Sequence, residues 1–311
     1  MIEVKDIRKN YGDIEAVKGI SFTVNKGEVY GLLGPNGAGK STTISILCGL
    51  QKPSSGAVTI GGLNLFADPV AVKKIMGVVP QEVSLYHELS AVDNLMFFGS
   101  LYGLKGKERR DRVEEVLELV GLSHRTREAV GTFSGGMLRR LNIACGMIHK
   151  PAVLLLDEPT VGLDPQTRLT ILETISNAAT QGTAVLFTTH YLDEAEEICH
   201  RVGIIDHGKI LIEGTLTELR KATTEKDIVI IRGNVKKETI AEIFAAQPSL
   251  GIELISHEEG TIKLAMLPGE QNLATLMRSL AALSEVKEIS VKQPSLESLF
   301  IKLTGRELRE T

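Results

Sequence analysis

VYGLLGPNGAGKST, Val29 to Thr42, decides the fold. Val29–Leu33 is a continuous apolar run with no alternation. Such a run suits a strand covered on both faces, as in a parallel sheet flanked by helices. Gly34 to Ser41 then matches G-x-x-x-x-G-K-[ST], and a helical pattern follows from Lys40 to Gly49. The glycines allow successive backbone N–H groups to turn toward one anion, and the helix that follows adds its positive end. Gly34, Pro35, Asn36, Gly37, Ala38, Gly39, Lys40, Ser41 and Thr42 are therefore the candidates for holding a nucleoside triphosphate. Lys40 is placed for the β- and γ-phosphates, and the Ser41 hydroxyl for Mg²⁺. A loop of this kind is shared by GTPases, kinases and ATPases, so other residues must narrow the choice.

Two further apolar runs do so. VLLLDEP, residues 153–159, ends in two acids, and TAVLFTTH, residues 183–190, ends in histidine. Ligands of open parallel sheets lie at the carboxyl ends of strands. Asp157 is thus a candidate for holding Mg²⁺ through water, and Glu158 for polarising an attacking water. His190 is in line to sense the γ-phosphate. The remaining histidines, His87, His124, His149, His200, His207 and His257, show no ligand spacing, so no structural zinc is expected.

Around this centre the pattern changes twice. Residues 1–30 read as short strands with turns, IEVKDI alternating. Between Pro80 and Lys150 helical patterns dominate, with Val113, Val116, Leu117 and Val120 on one face. The most membrane-like stretch, LMFFGSLYGL from Leu95, is about half of the ~20 residues a spanning helix requires. IIDHGKILIEG reads as a hairpin with a His-Gly turn. The polar stretch KATTEKD marks a boundary, giving domains 1–220 and 221–311. In the second, DIVIIRG, GIELISHEEGTIKLAM and VKEISVK read as strands. Glu238–Ala246, Gln271–Leu283 and the tail after Pro294 read as helices.

The chain has 311 residues, 43% apolar and 24% charged, with a net charge of −4. A mildly acidic balance advertises no nucleic-acid partner. Cys48, Cys145 and Cys199 form no CxxC pair, which fits a reducing cytoplasm. The charged start MIEVKDIRKNYG is unlike a signal peptide.

TFSGGMLRR, residues 132–140, is a helix start ready for an anion, almost a hundred residues from the phosphate loop. With the loop, the acid pair and the histidine, it makes the chain resemble the nucleotide-binding subunits of ABC transporters over residues 1–220. The resemblance implies further roles. Tyr11 sits where an aromatic stacks on adenine, and Val17 where an apolar side chain lines the same pocket. Gln81, in VVPQE, matches the glutamine that links Mg²⁺ and the attacking water to the helical insertion. Ser134, Gly135 and Gly136 match the signature that covers the ATP of a second subunit, and Asp164, in GLDP, lies in the segment crossing that interface. Two positions depart from the family's usual signature, Phe133 for leucine and Met137 for glutamine. Met137 with the basic residues after it, and the tail PSLESLFIKLTG, resemble the drug-resistance exporter branch, including the daunorubicin group.

The expected fold is α/β. It comprises a P-loop NTPase core with a mainly parallel sheet, an N-terminal antiparallel β subdomain, a helical insertion over about 82–150 and a small C-terminal α+β domain. The implied function is ATP hydrolysis with Mg²⁺ that closes a dimer and drives a separately encoded membrane subunit, as an exporter. The subunit would be cytoplasmic and peripheral at the inner face of the cell membrane. An importer subunit, a soluble ABC ATPase and a P-loop kinase are the rival readings.

Overall fold

A computed structural model describes residues 1–222, 226–234, 247–258, 260–267, 269–283, 285–292 and 296–304. The chain divides into two compact units, Met1–Thr215 and Leu216–Glu307.

The larger unit is built on a six-stranded sheet. Its strands are β3 (Val29–Leu33), β6 (Met76–Val79), β7 (Val153–Asp157), β8 (Ala184–Thr189), β9 (Arg201–Asp206) and β10 (Lys209–Thr215), in the order β10-β9-β3-β8-β7-β6. All neighbours are parallel except β9 and β10. Every residue of β3, β7 and β8 is buried, as the unbroken apolar runs require of strands covered on both faces. The β9–β10 turn is His207-Gly208, with φ of 46° and 79°, which matches the right-handed twist of a hairpin.

An antiparallel sheet of β1 (Ile2–Tyr11), β2 (Ile14–Val24), β4 (Ser55–Ile60) and β5 (Leu63–Asn64) runs in the order β2-β1-β4-β5. Its inward residues Ile2, Val4, Ile20, Phe22, Val58 and Ile60 share one core with Leu32, Leu155 and Leu186 of the parallel sheet and with Ile44 and Leu47 of α1 (Lys40–Leu47). The short helix α2 (Pro69–Lys74) starts on an Asp68 cap and Pro69, a favoured opening.

The insertion has its own core. Helices α3 (Ala91–Leu101), α4 (Gly106–Leu119) and α5 (Gly135–Met147) enclose Leu95, Val113, Val116, Leu117, Leu122, Phe133, Leu141 and Ile148. Phe133, unusual for the signature, fills this core. The membrane-like run forms α3 and the turn after it. Among the described residues no helix is long and apolar enough to cross a membrane. Helices α6 (Pro165–Thr180) and α7 (Leu192–Ile198) complete the unit.

In the second unit, β11 (Asp227–Asn234), β12 (Glu253–Glu258), β13 (Thr261–Met266) and β14 (Glu285–Lys292) form an antiparallel sheet in the order β12-β13-β11-β14. Val229, Ile231, Ile262 and Leu264 pack with Leu276 and Leu280 of α9 (Glu270–Leu283). Helix α8 (Leu216–Ala222) packs with α10 (Leu296–Thr304), so LTELRKA goes with this unit and the division falls just ahead of it, after Thr215. A helix joins whichever core covers its apolar side, which polarity further along the chain does not reveal. The expected helix Glu238–Ala246 lies outside the described residues. All three cysteines are buried and free.

Candidate nucleotide site

The phosphate loop joins β3 to α1, and its glycines are demanded by geometry. Gly39 has a φ of 108°, and a Cβ there would lie 2.9 Å from the Ala16 carbonyl oxygen. A Cβ at Gly34 would come within 2.2 Å of the Ile205 carbonyl oxygen. Neither position tolerates a side chain. Pro35 and Ala38 act through the backbone, since Ala38 is buried and its N–H donates to the Pro35 carbonyl at 3.2 Å. Gly39 caps α1 without a side-chain hydrogen bond, so no side chain competes for the first amides of the helix.

Lys40, the first residue of α1, is 4% exposed. Its ammonium donates to the carbonyls of Gly34 (2.7 Å) and Pro35 (3.2 Å) and lies 3.1 Å from Glu158 Oε1. Glu158 Oε2 in turn lies 3.3 Å from His190 Nδ1. A buried carboxylate is thus held between a lysine and a histidine, the arrangement that desolvation would otherwise make costly.

The two acids diverge because of the backbone. Asp157 closes β7, while Glu158 adopts a φ of 45°, a left-handed conformation that a non-glycine residue rarely takes. Thr188 on the neighbouring β8 holds both. Its hydroxyl donates to Asp157 Oδ1 at 2.7 Å and accepts the Glu158 N–H at 3.0 Å. Gln81 follows β6 with an exposed side chain. A cavity of about 170 Å³ is lined by Asn36, Gly37, Gly39, Lys40, Ser41, Thr42, Gln81 and Glu158, together with Ala16. The catalytic candidates therefore gather at the carboxyl rim of the parallel sheet.

Oxygen donors from Ser41, Gln81 and Asp157 are hard ligands suited to Mg²⁺, which keeps waters and substrate phosphates in its shell. Among the described residues no cluster of three or more His, Cys, Asp or Glu side chains could enclose a metal. The donor set fits an ion held largely by phosphate and water.

Not every expected residue lies here. Val17 is fully buried in the core, and the cavity wall is Ala16 instead. This corrects the sequence reading by one position, because successive residues of a strand face opposite sides. Tyr11 is 44% exposed at the end of β1, its hydroxyl donating to Gln51 Oε1 and Lys9 Nζ lying 5.2 Å from its ring, and it does not line the cavity. Ser134 caps α5, accepting the Met137 N–H at 3.3 Å, and is exposed with Gly135. Open space surrounds a Cβ built at Gly135, whereas one at Gly136 would lie 2.9 Å from the Thr167 side chain. Asp164 caps α6 through the Thr167 N–H at 3.0 Å, and the bonds to Thr167 hold its carboxyl below the usual range.

Several residues escaped the sequence reading. Glu194 is buried on α7 and accepts the hydroxyls of Thr160 (2.9 Å) and Thr189 (2.8 Å). It thereby ties the segment after Glu158 to the strand end before His190. Burial raises its carboxyl above the ordinary range, with the two hydroxyls acting against the shift. Arg139 on α5 is also buried, which pulls its guanidinium down to about 10 against the influence of Asp157.

The glycine loop, the strand-end acids and the parallel-sheet rim define a P-loop nucleoside triphosphatase. A family model described as ABC transporter matches residues 17–161, and one described as the C-terminal domain of ATP-binding protein DrrA1-3-like matches residues 214–304. The chain is 42% identical to the linearmycin resistance ATP-binding protein LnrL of Bacillus subtilis, over 100% of both chains. It is 35% identical to the Nod factor export ATP-binding protein I of Sinorhizobium fredii, covering 99% of this chain and 87% of the other. The dimeric structure of MJ0796, a bacterial ABC transporter cassette, superposes with a TM-score of 0.64 at 29% identity, over 70% of this chain and 99% of that one. The chain belongs to the ATP-binding subunits of ABC transporters. It is an ATPase that uses ATP with Mg²⁺.

Proposed function

We propose that this chain is the motor subunit of an exporter, and that two copies close head to tail over two ATP molecules. The carrying observation is the N-terminus of α5, exposed around Ser134 and Gly135 and with open space over Gly135. In a head-to-tail pair that surface would meet the triphosphate held by the partner copy's loop, with a helix N-terminus behind it. Asp164 would lie at the same interface. Relatives named for drug resistance and for export, and the DrrA-like C-terminal segment, support the export direction.

Within one site, Lys40 and the loop amides bind the phosphates. Ser41, Gln81 and Asp157 would hold Mg²⁺, which when bound would neutralise charge on the phosphate oxygens. Glu158 accepts the proton of the attacking water, and His190 steadies that carboxylate and the γ-phosphate side of the reaction. Tyr11 offers its exposed ring to adenine. Hydrolysis removes the anion that bridges the two surfaces, and the dimer loosens.

The insertion transmits closure to a membrane-spanning subunit, which would hold this chain at the cytoplasmic face. Tyr86 (47% exposed), Leu89 (38%) and Phe97 (38%) are exposed apolar side chains within twenty residues after Gln81, with Tyr86 and Phe97 in edge contact at 5.0 Å. Leu95 belongs to the insertion core, and Leu85, Met96 and Phe98 are partly buried against it. Buried Asn94 bonds both the N–H and the carbonyl of Tyr86. A short helix of the membrane subunit would dock on these rings. Tyr86→Ser with Phe97→Ser should abolish co-purification of the membrane subunit and leave ATP binding intact.

The decisive test is Glu158→Gln. The variant should bind ATP, form a dimer that depends on ATP and Mg²⁺ in size-exclusion chromatography, and lose turnover. A Glu158→Gln protein that stays monomeric in saturating ATP and Mg²⁺, with the membrane subunit present, would falsify the shared-site reading.

A further inference from the structure

Helix α5 carries a second device, five residues after its serine cap. The Arg139 guanidinium is buried (5% exposed) and donates to five backbone carbonyls. Nε reaches Pro159 at 2.6 Å, and Nη1 reaches Pro80 at 2.6 Å and Gln81 at 2.9 Å. Nη2 reaches Asp157 at 3.1 Å and Glu158 at 2.9 Å. A guanidinium has five N–H groups in a planar fork, and all five are used.

These carbonyls come from the carboxyl end of β7 and from the loops that follow the adjacent parallel strands β6 and β7. The same segments carry Gln81, Asp157 and Glu158, the residues nearest the chemistry. Three consecutive carbonyls, those of Asp157, Glu158 and Pro159, converge on one cation. The chain bends at Glu158 through its left-handed φ of 45°, a strained conformation that persists only where the surroundings over-determine it. Charge-assisted hydrogen bonds supply that constraint.

We propose that Arg139 is a positioning residue for ATP hydrolysis. It holds the peptides that carry Glu158 and Gln81, and it joins them to the helix whose N-terminus covers the partner copy's ATP. An α-helix rises 1.5 Å per residue, so the cap and the guanidinium position are about 7.5 Å apart on one rigid element. A displacement of α5 by nucleotide at its exposed end therefore reaches the base and the glutamine of the same chain's own site. The two ATP sites of a dimer become mechanically coupled through one side chain. The inference rests on the shared-site reading above.

The test uses the full chain with Arg139→Lys, which keeps the charge but lacks the fork. Turnover should fall on the order of 100-fold, the cost of a catalytic group displaced by about 1 Å. KM and the ATP dissociation constant should stay within about threefold, because the lost interaction acts on the transition state. The Hill coefficient for ATP should fall toward 1, a change that a purely structural bolt would not produce. Arg139→Gln, of similar reach with two donors, gives the same reading if the lysine variant does not fold. Turnover within threefold of the native chain, or a turnover loss matched by an equal loss of ATP affinity, overturns the inference. Glu158→Gln measured alongside separates the failures. If it is inactive while Arg139→Lys is normal, only the role of Arg139 falls; if it hydrolyses ATP normally, the assignment of the base falls.

Discussion

Helices α1 and α5 both begin beside glycine and a hydroxyl, yet their N-termini stand in different surroundings. At α1, Gly39 leaves the first amides without a side-chain cap, and Lys40, Ser41 and Glu158 surround one cavity. At α5, Ser134 supplies the cap, and open space lies over Gly135. The first helix start is finished by its own chain. The second offers similar chemistry to something outside. Under the proposed head-to-tail pairing, the contrast is that of one anion site divided between two copies, each contributing a half that looks either complete or idle when viewed alone.

The largest effect is expected at the finished end. Lys40→Ala removes a charged donor from the phosphates and should weaken ATP binding roughly 100-fold, read by calorimetric titration. If affinity is unchanged, α1 is not the phosphate-binding start. At the other end, Ser134→Asp sharpens the comparison, because aspartate caps a helix as well as serine does. Thermal stability should hold. The ATP-dependent dimer should weaken on the order of 100-fold, since a carboxylate would face the partner's triphosphate. A normal dimer in sedimentation would remove α5 from the shared site. Ser134→Ala loses the cap itself, about 1 kcal/mol, and should lower Tm by roughly 2–4 °C for a unit of this size.

A smaller effect concerns the far end of α5, where Arg112 donates to the carbonyls of Met147 (2.7 Å) and Ile148 (2.9 Å). His149 stacks on Tyr102 there at 3.5 Å, and burial holds its imidazole down to about 4. The unfolded chain, with an ordinary histidine value near 6.5, binds more protons between those limits. Stability should therefore fall as pH drops from about 6.5 toward 4. His149→Gln should flatten that part of a Tm-against-pH curve, and an unchanged slope would show that the imidazole is not held neutral.

The phosphate loop, β3, β7 and β8 were legible because their signals are local: glycine spacing, a following helix and unbroken apolar runs. The acids and His190 were legible because they end those runs. The residues that hold them were not. Thr188 reads as part of an apolar strand, and its hydroxyl acquires partners only when β7 lies alongside in register. Glu194 looks like one more charge on an acidic helix until Thr160 and Thr189 close over it. Arg139 looks like part of a basic stretch, although its five acceptors lie 18 to 59 residues away along the chain. The slip from Ala16 to Val17 has a related origin. A strand's inward face depends on pairing, and β1–β2 shifts register several times along its length.

The buried cysteines have a practical use. Burial pushes the Cys48 thiol up to about 12 and raises those of Cys145 and Cys199 as well. At pH 8 roughly one Cys48 side chain in ten thousand is the reactive thiolate. The native chain thus resists alkylation without any engineering. One cysteine introduced at Gly135 would provide a single addressable handle, able to report by fluorophore or bifunctional reagent whether two copies meet there.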